Sequence, residues 1–215
     1  MKILCISDSH NQHANMHLSH VDLSTIDTIV HAGDATYVGE YHVYEKLSEW
    51  LLSLKVPNIV FVPGNHDISF EKVLDEATKC FDPSIHILID KAVTIDNINF
   101  YGSPNTPAFG EGWAFNIPRD SYELKACWDK IPVNTDVLIT HGPPLGVLDD
   151  NSRKHPCGCK LLGYRIKELP QLKAHIFGHI HEGAGKLVKD NVQYVNASIC
   201  TAGYKPKNPP IVIEI

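Results

Sequence analysis

Seven residues of types that bind divalent metal ions stand in five short clusters along this chain of 215 residues. Each cluster closely follows an apolar run, as Asp8 follows Ile3–Ile6 and His141 follows Val137–Ile139. Sites in open α/β sheets lie beyond the carboxyl ends of strands, so we expect the clusters to meet there. The set mixes oxygen and nitrogen donors without a thiolate, which favours two hard-to-borderline divalent ions. The seven candidates are Asp8, His10, Asp34, Asn65, His141, His179 and His181.

The spacing within the clusters predicts which side chains share an ion. Asp8 and His10 are two positions apart, as are His179 and His181. In extended backbone such residues point to the same face, so each pair is expected to reach one ion. Asp34 stands alone at the end of its predicted strand, and its two carboxylate oxygens make it the expected bridge between two cations.

The neutral ligand Asn65 indicates which substrate the site attracts. Asp8, Asp34 and a bridging hydroxide carry three negative charges, against four positive charges on two divalent ions. The residual positive charge attracts an anionic phosphate, and two such ions can activate the bridging hydroxide for in-line attack. His66, next to Asn65, is then free to face the substrate and protonate the leaving oxygen. Asp67 is the expected partner that orients its ring.

Composition places the chain among ordinary globular proteins and excludes some functions. The net charge of -6 argues against a protein built to bind a phosphate backbone, which needs a basic face. No apolar run approaches the length that spans a bilayer, and no leader-like segment precedes the first predicted strand. We therefore expect a cytoplasmic protein with one domain over residues 1–215. The close pair Cys157 and Cys159 lacks the spacing and the second pair of a zinc clip, which favours a role in a loop or at a helix start.

Hydrophobic periodicity predicts strands that alternate with helices, followed by hairpins. This order indicates an α/β fold, a layered sandwich with two mixed sheets. The predicted helices are Glu40–Leu54, Ser69–Lys79 with Ser69 as the N-cap, Asp120–Ile131 and Lys160–Leu169. The predicted strands are Lys2–Ser7, Asp27–Ala32, Asn58–Val62, Ile85–Leu88, Ala92–Ile95, Ile98–Tyr101, Asp136–Thr140, Ala174–Gly178, Lys186–Lys189, Gln193–Asn196 and Ile211–Ile215. Long loops are predicted over Gly102–Pro118 and Gly142–Gly158.

The clusters, in this order, resemble the motifs of the calcineurin-like metallophosphoesterases, and the resemblance extends along the whole chain. It rests on Asp8-x-His10, Gly33-Asp34, Gly64-Asn65-His66-Asp67, His141 and Gly178-His179-x-His181. It implies a four-layer α-β-β-α sandwich of two mixed sheets, with His66 as the catalytic histidine. It also implies one metal held by Asp8, His10, Asp34 and His181, and a second held by Asp34, Asn65, His141 and His179.

Connecting segments look like those of the metallophosphoesterase-domain-containing proteins of vertebrates. The segments include Tyr101-Gly-Ser-Pro, Gly112-Trp-Ala-Phe-Asn-Ile-Pro-Arg119 and His141-Gly-Pro-Pro-Leu-Gly146. That subgroup implies hydrolysis of cyclic nucleotides and simple phosphodiesters, usually with manganese. Some of its members have Gly where this chain has His179, so the resemblance implies a complete second site here. The chain lacks the Asp-Arg-Gly that follows Gly-Asp in protein phosphatases of the superfamily.

Several loop residues are candidates for substrate contact, each with an alternative. Trp113 and Phe115 could stack on a nucleobase or close an edge of the core. Charged residues of the long loops could bind phosphate or belong to a solvated cluster. The remaining candidates are Asn105, Arg119, Arg153 and His155.

The favoured function is a phosphodiesterase that acts on 2′,3′- or 3′,5′-cyclic nucleotides or similar small phosphodiesters. A manganese-dependent nuclease, a phosphomonoesterase and a non-catalytic scaffold are the alternatives. Two divalent ions are the expected cofactors, with Mn²⁺ favoured and Fe, Zn or Mg also compatible with the ligand set. The expected partner is the small substrate, without stable nucleic-acid or membrane binding.

Overall fold

The computed structural model describes residues 1–215, which form thirteen strands and five α-helices. The strands are Lys2–Ile6 (β1), Thr28–His31 (β2), Asn58–Phe61 (β3), Ile85–Ile87 (β4), Lys91–Ile95 (β5), Ile98–Ser103 (β6), Thr106–Pro107 (β7), Asn116–Ile117 (β8), Val137–Thr140 (β9), Ala174–Phe177 (β10), Gly185–Lys189 (β11), Val192–Asn196 (β12) and Ile211–Glu214 (β13). The helices are Tyr41–Ser53 (α1), Ile68–Lys72 (α2), Leu74–Thr78 (α3), Tyr122–Asp129 (α4) and Lys160–Ile166 (α5).

Two mixed sheets carry the fold, as the sequence predicts. The first has the order β13-β1-β2-β3-β4, with β13 antiparallel to β1 and the other pairs parallel. The second has the order β11-β12-β10-β9-β6-β5, with a parallel centre and an antiparallel pair at each edge. β7 and β8 form a separate short parallel pair inside the predicted loop Gly102–Pro118.

Alternation along the strands divides the core into three layers of side chains. In β1, Ile3 joins the cluster between the two sheets, whereas Leu4 joins the cluster that covers the outer face of the first sheet. Such alternation follows from the two-residue period of a strand. α1 packs on that outer face through Leu47, and α4 packs on the second sheet through Trp128. The result is the four-layer α-β-β-α sandwich.

The predicted helix Ser69–Lys79 is wrong in its continuity and its cap. The backbone is helical over α2 and α3 but leaves the helical region at Val73, with φ −145° and ψ 60°. Ser69 lies inside α2, and its hydroxyl contacts the carbonyl of Gly39 instead of capping the helix. The φ of −145° at this β-branched residue is incompatible with a continuous helix and accounts for the break.

The packing of the sheets brings five strand ends to one edge of the sandwich. Backbone hydrogen bonds continue past the strands there, from Asp8 N to Gly33 O and from Gly178 N to His141 O. A bridge between Ser7 and Ser198 joins the two sheets at this edge. None of the helices is both long and apolar enough to cross a bilayer.

Candidate metal centre

All seven predicted donors meet beyond the ends of β1, β2, β3, β9 and β10. Asp34 lies between two groups of donors. Its Oδ2 is 3.9 Å from His10 Nε2, and its Oδ1 is 3.3 Å from His141 Nε2. One carboxylate therefore presents an oxygen to each group, the arrangement that a bridging ligand requires.

The first group joins the ends of β1 and β10. His181 Nε2 lies 3.2 Å from Asp8 Oδ1 and 3.3 Å from His10 Nε2. The second group joins the ends of β3, β9 and β10. His141 Nε2 lies 2.9 Å from Asn65 Oδ1, and His179 offers a ring nitrogen within 4.8 Å of donors of Asp34 and His141.

Backbone carbonyls fix the orientation of three of these imidazoles. The Nδ1 atoms of His10, His141 and His181 lie 3.1, 2.9 and 3.0 Å from the carbonyl oxygens of Thr36, Ala32 and Thr201 respectively. A carbonyl only accepts, so each Nδ1 carries the hydrogen and donates it. Each Nε2 of the neutral ring then directs its lone pair into the centre, which is how metal-binding histidines are usually held.

In this orientation the rings of His10 and His181 can bind a cation together, but they repel each other when nothing lies between them. His10 Nε2 and His181 Nε2 face each other at 3.3 Å, and both Nδ1 atoms already donate elsewhere. Two lone pairs at that distance repel unless a proton or a metal ion lies between them. The donor set of three carboxylate or amide oxygen residues and four imidazoles therefore fits two divalent metal ions.

The shifted pKa values of residues in the centre also favour a bound cation. Burial alone would raise the pKa of Asp8 and Asp34, but the surrounding histidines hold both well below their usual range. Against the effect of burial, those carboxylates raise the pKa of His141 and His181 to about 9. A divalent cation supplies the same positive charge, and its binding displaces such protons.

Left-handed backbone turns, rather than extended strands, aim the ligands. Asp8, His10, Asp34 and His179 have φ of 52°, 40°, 55° and 68°, and His181 opens a 3₁₀ turn. The expectation of extended backbone is therefore wrong. Asp8 and His10 do lie in one donor group, but His179 and His181 lie in different groups, which corrects the expectation that this pair reaches one ion. Each such residue costs about 1–3 kcal/mol, and such strain persists where the surrounding structure imposes it.

Two glycines make room for the carboxylates. A Cβ at Gly64 would overlap the Oδ1 and backbone N of Asp34, and a Cβ at Gly178 would overlap the Oδ2 of Asp8. Glycine is the residue type that permits such a close approach of backbone to a functional group.

His66 faces the centre from the turn before α2. Its Nδ1 lies 2.7 Å from the carbonyl oxygen of Tyr37, so this nitrogen donates. Its Nε2 lies 4.0 Å from Asp34 Oδ2 and is directed towards the ligands. The Tyr37 carbonyl thus orients the ring, a role that sequence analysis assigned to Asp67.

Asp67 does not contact the His66 ring, and that expectation needs correction. Its fully buried carboxylate accepts hydrogen bonds from the backbone N atoms of Ala35, Thr36 and Gly64 and from the Thr36 hydroxyl. The side chain therefore ties together the turns that follow β2 and β3. Its burial and the nearby Asp34 raise its pKa to about 6.

Four aromatic side chains, which we call the aromatic rim, border the centre. The Trp113 ring lies 4.3 Å from the His66 ring, and the Tyr204 ring lies 6.3 Å from it. Tyr37 packs on Tyr204 at 5.5 Å, and Phe109 faces Trp113 at 6.3 Å. Sequence analysis identifies only Trp113 among these four. The position of Tyr37 shortly after Asp34 was an available signal, whereas nothing local marks Tyr204.

The other predicted substrate residues lie in different settings. Phe115 is buried in the core beside the first sheet, and Asn105 is buried and donates to Asp90 and Ser103. Arg119 is exposed and lines one cavity together with His179. Arg153 and His155 are exposed in the long loop after β9.

The comparison with protein families identifies the chain. Residues 1–183 match the model described as calcineurin-like phosphoesterase. The chain belongs to this family. The family typically binds two divalent metal ions, in agreement with the donor clusters of the centre.

Relatives extend the match over the full length. Metallophosphoesterase domain-containing protein 1 of Homo sapiens is 36% identical over 237 residues, which cover 100% of this chain and 71% of that protein. A UPF0046 protein of Caenorhabditis elegans is 34% identical over 228 residues, which cover 100% of this chain and 75% of that protein. A Nostoc sp. protein named 3′,5′-cyclic-nucleotide phosphodiesterase is 30% identical over 184 residues, which cover 80% of this chain and 62% of that protein.

Solved structures share the fold at low identity. One superposes with a TM-score of 0.69 at 18% identity, over 91% of this chain and 89% of the other. A structure from Thermus thermophilus superposes with a TM-score of 0.65 at 15% identity, over 91% of this chain and 88% of the other. At these identities the likeness concerns the fold alone.

Proposed function

We propose that this family member is a phosphodiesterase that uses two divalent ions, with Mn²⁺ as the preferred metal, to hydrolyse small phosphodiesters. Cyclic nucleotides, 2′,3′ or 3′,5′, are the proposed substrate class. The observation that carries the proposal is the complete set of seven donors arranged around the two oxygens of Asp34. A scaffold that no longer catalyses a reaction has no need to keep such strained, buried ligands.

When bound, the two ions supply the positive charge that holds the phosphate and activates the attacking water. Asp8, His10 and His181 would hold one ion, Asn65, His141 and His179 would hold the other, and Asp34 would contact both. His66 supplies the proton for the leaving oxygen. Because its Nδ1 donates to the Tyr37 carbonyl, the proton that it can deliver is on Nε2, the nitrogen that faces the centre.

Three observations favour a small diester over other phosphate esters. The Nostoc relative carries the name of a cyclic-nucleotide phosphodiesterase. The net charge of -6 does not suit a nuclease that holds a long polyanion. Trp113 packs on His66, and Tyr37 packs on Tyr204. Together these rings form an aromatic surface that suits the organic part of a nucleotide.

Turnover by the manganese-loaded protein tests the proposal. The substrates are bis-p-nitrophenyl phosphate and the 2′,3′- and 3′,5′-cyclic nucleotides, with His66→Ala as the control. Absence of turnover above this control would remove the proposal. Faster hydrolysis of p-nitrophenyl phosphate would favour a phosphomonoesterase, and digestion of single-stranded DNA would favour a nuclease.

Metal analysis separates the enzyme from a scaffold. After manganese loading and removal of free metal, we expect about two ions per chain. A content below about one ion per chain would favour the scaffold.

A further inference from the structure

A cavity of about 280 Å³ adjoins the second group of ligands. Its walls are mostly apolar, and His179 forms the side that faces the metal centre. This volume lies just below the lower end of the usual range for small-molecule pockets, about 300 Å³, and is enough for one group of a ligand. The lining includes Phe109, Arg119, Cys157 and His179.

Phe109 is an exposed aromatic ring on a fixed backbone. Its side chain is 48% exposed, although a large apolar ring in a loop gains stability by burial. Its backbone N donates to Asn116 Oδ1, and the preceding Ala108 N donates to the Ile117 carbonyl in β8. The ring packs 4.8 Å from the His179 ring. Phe109 is therefore held in position between His179 and Trp113, and its exposed surface borders the cavity.

Arg119 brings hydrogen-bond donors to the same cavity. Its two terminal nitrogens each donate one hydrogen, to the Gly158 and Cys157 carbonyls, at 3.0 and 3.3 Å. A guanidinium has five N–H donors and stays charged, so three donors remain. These three N–H groups, which we call the fork, lie in the guanidinium plane and have no acceptor in the protein. The two carbonyl contacts hold the fork at the wall of the cavity.

We propose that this cavity is the base subsite: it receives a planar heteroaromatic group whose edge carries hydrogen-bond acceptors. The O6 and N7 atoms of guanine are such an edge, and arginine pairs with both. Phe109 provides the stacking face and Arg119 the fork. Adenine offers N7 alone and presents an amino group where guanine has O6, so it fits less well.

The subsite deepens the proposed function and rests on it, because the phosphate of the same ligand lies at the metal centre beyond His179. The other aromatic surface, formed by Tyr37 and Tyr204, borders His66 and His10, whereas Phe109 borders His179. The surface formed by Tyr37 and Tyr204 offers no guanidinium fork. The acceptor-bearing ring is therefore assigned to the cavity.

Ligand binding, measured without turnover, tests the subsite. The dissociation constants of guanosine 5′-monophosphate, adenosine 5′-monophosphate and ribose 5-phosphate are measured by calorimetry on the full manganese-loaded chain. All three carry the same phosphate and sugar attachment, so their ratios report on the base. We expect guanosine 5′-monophosphate to bind at least about tenfold more tightly than ribose 5-phosphate, the scale of one base–aromatic stacking contact.

Three variants test which residues cause the base preference. Phe109→Ala removes the stacking face and should reduce the advantage of both nucleotides over ribose 5-phosphate to about twofold or less, as expected for loss of one stacking contact. Arg119→Lys keeps the charge and loses the fork, so it should abolish the preference for guanine over adenine. Tyr122→Ala alters a tyrosine that is 82% exposed on α4, and it should change neither ratio.

The outcomes separate the subsite from the proposed function. Equal binding of guanosine 5′-monophosphate and ribose 5-phosphate would overturn the subsite, and so would a base preference that survives Phe109→Ala and Arg119→Lys but disappears in Tyr204→Leu. A base preference that depends on Phe109 and Arg119 without hydrolysis of any diester would support the subsite and sink the phosphodiesterase. Hydrolysis without base preference would support the phosphodiesterase and overturn the subsite.

Discussion

The metal centre and the aromatic rim lie in contact but are built in opposite ways. The ligands Asp8, His10 and His141 are fully buried, and each follows a strand whose position both sheets determine. The rim residues Phe109 and Tyr204 are 48% and 39% exposed and lie on loops. The centre therefore depends on the whole fold, whereas the rim can vary without disturbing it. Such a division allows residues of the rim to change while the metal ligands stay in place.

The metal centre and the aromatic rim also differ in how their rings are held. Three ligand rings are fixed by backbone carbonyls through Nδ1, so their direction is determined by the main chain. The rim rings are fixed mainly by contacts with one another and with His66. We therefore expect substitutions in the centre to affect metal content and rate together. Those in the rim should affect substrate affinity.

The largest effect is expected for Asp34→Asn. Loss of the shared charge removes several kcal/mol of transition-state stabilisation, which corresponds to a rate decrease of about 10³-fold or more. Metal content, measured by mass spectrometry on the desalted protein, should fall in parallel. The matched control is Asp120→Asn on an exposed turn. Retention of two ions and normal turnover in Asp34→Asn would show that Asp34 does not join the two groups.

His66→Asn should separate chemistry from metal binding. We expect kcat to decrease by about 10²–10⁴-fold, the usual contribution of a general acid. The metal content should stay at the wild-type value, because the donors His10 and Asp34, which lie within 4.8 Å of the His66 ring nitrogen, keep their other donor partners in the variant. A loss of metal that matches the loss of rate would instead make His66 a ligand.

Gly178→Ala tests how closely the fold encloses the centre. The added methyl group would overlap the Asp8 carboxylate, so we expect a loss of about 1–3 kcal/mol of unfolding free energy, as for other overpacked sites, together with weaker metal binding. Gly163→Ala in α5 is the control, because its nearest neighbour is 4.0 Å away and alanine favours a helix. Equal stability of the two variants in urea would contradict the tight enclosure.

The buried histidine His175, outside the centre, should have a pKa shifted in the opposite direction from those of the ligands His141 and His181. His175 in β10 has no carboxylate beside it, and burial lowers its pKa from 6.5 to about 3. Between about pH 6.5 and pH 3, His175 therefore carries a proton in the unfolded chain but not in the folded chain. Stability should fall as pH decreases through this window, by about 2 kcal/mol at pH 5 for this group.

The variant His175→Gln measures that contribution. It retains a donor for the Thr140 hydroxyl, which His175 Nε2 contacts at 2.8 Å. Urea unfolding at pH 7 and pH 5 should show a smaller decrease in stability for the variant than for the wild type. Identical decreases would mean that His175 takes up no extra proton on unfolding.

The smallest effect is expected in the rim. Tyr204→Leu removes a ring that packs on His66 and Tyr37, and we expect KM for a cyclic nucleotide to rise about fivefold, equivalent to about 1 kcal/mol. The value of kcat and the metal content should change little. A large decrease of kcat with constant KM would place Tyr204 with the centre rather than the rim.

The sequence predicted most of the fold because its strands and longer helices have clear hydrophobic periodicity. It failed at α2 and α3, where Ser69 has the residue type of a cap but its hydroxyl contacts a carbonyl from a distant turn. It failed again at Asp67, since adjacency to His66 suggested a contact that the buried network around Thr36 excludes. In both places a long-range hydrogen bond outweighed a local preference.

By itself, the sequence determined the types, the order and the strand-end positions of the donors, because those depend on residue identity and hydrophobic pattern. Only the tertiary structure decided how the donors are aimed. The left-handed turns at Asp8 and Asp34 form because hydrogen bonds from neighbouring strands and the space left at Gly64 and Gly178 impose them. The placement of Tyr204 beside His66 was likewise a tertiary result, since residues so far apart in the chain meet only when the two sheets pack.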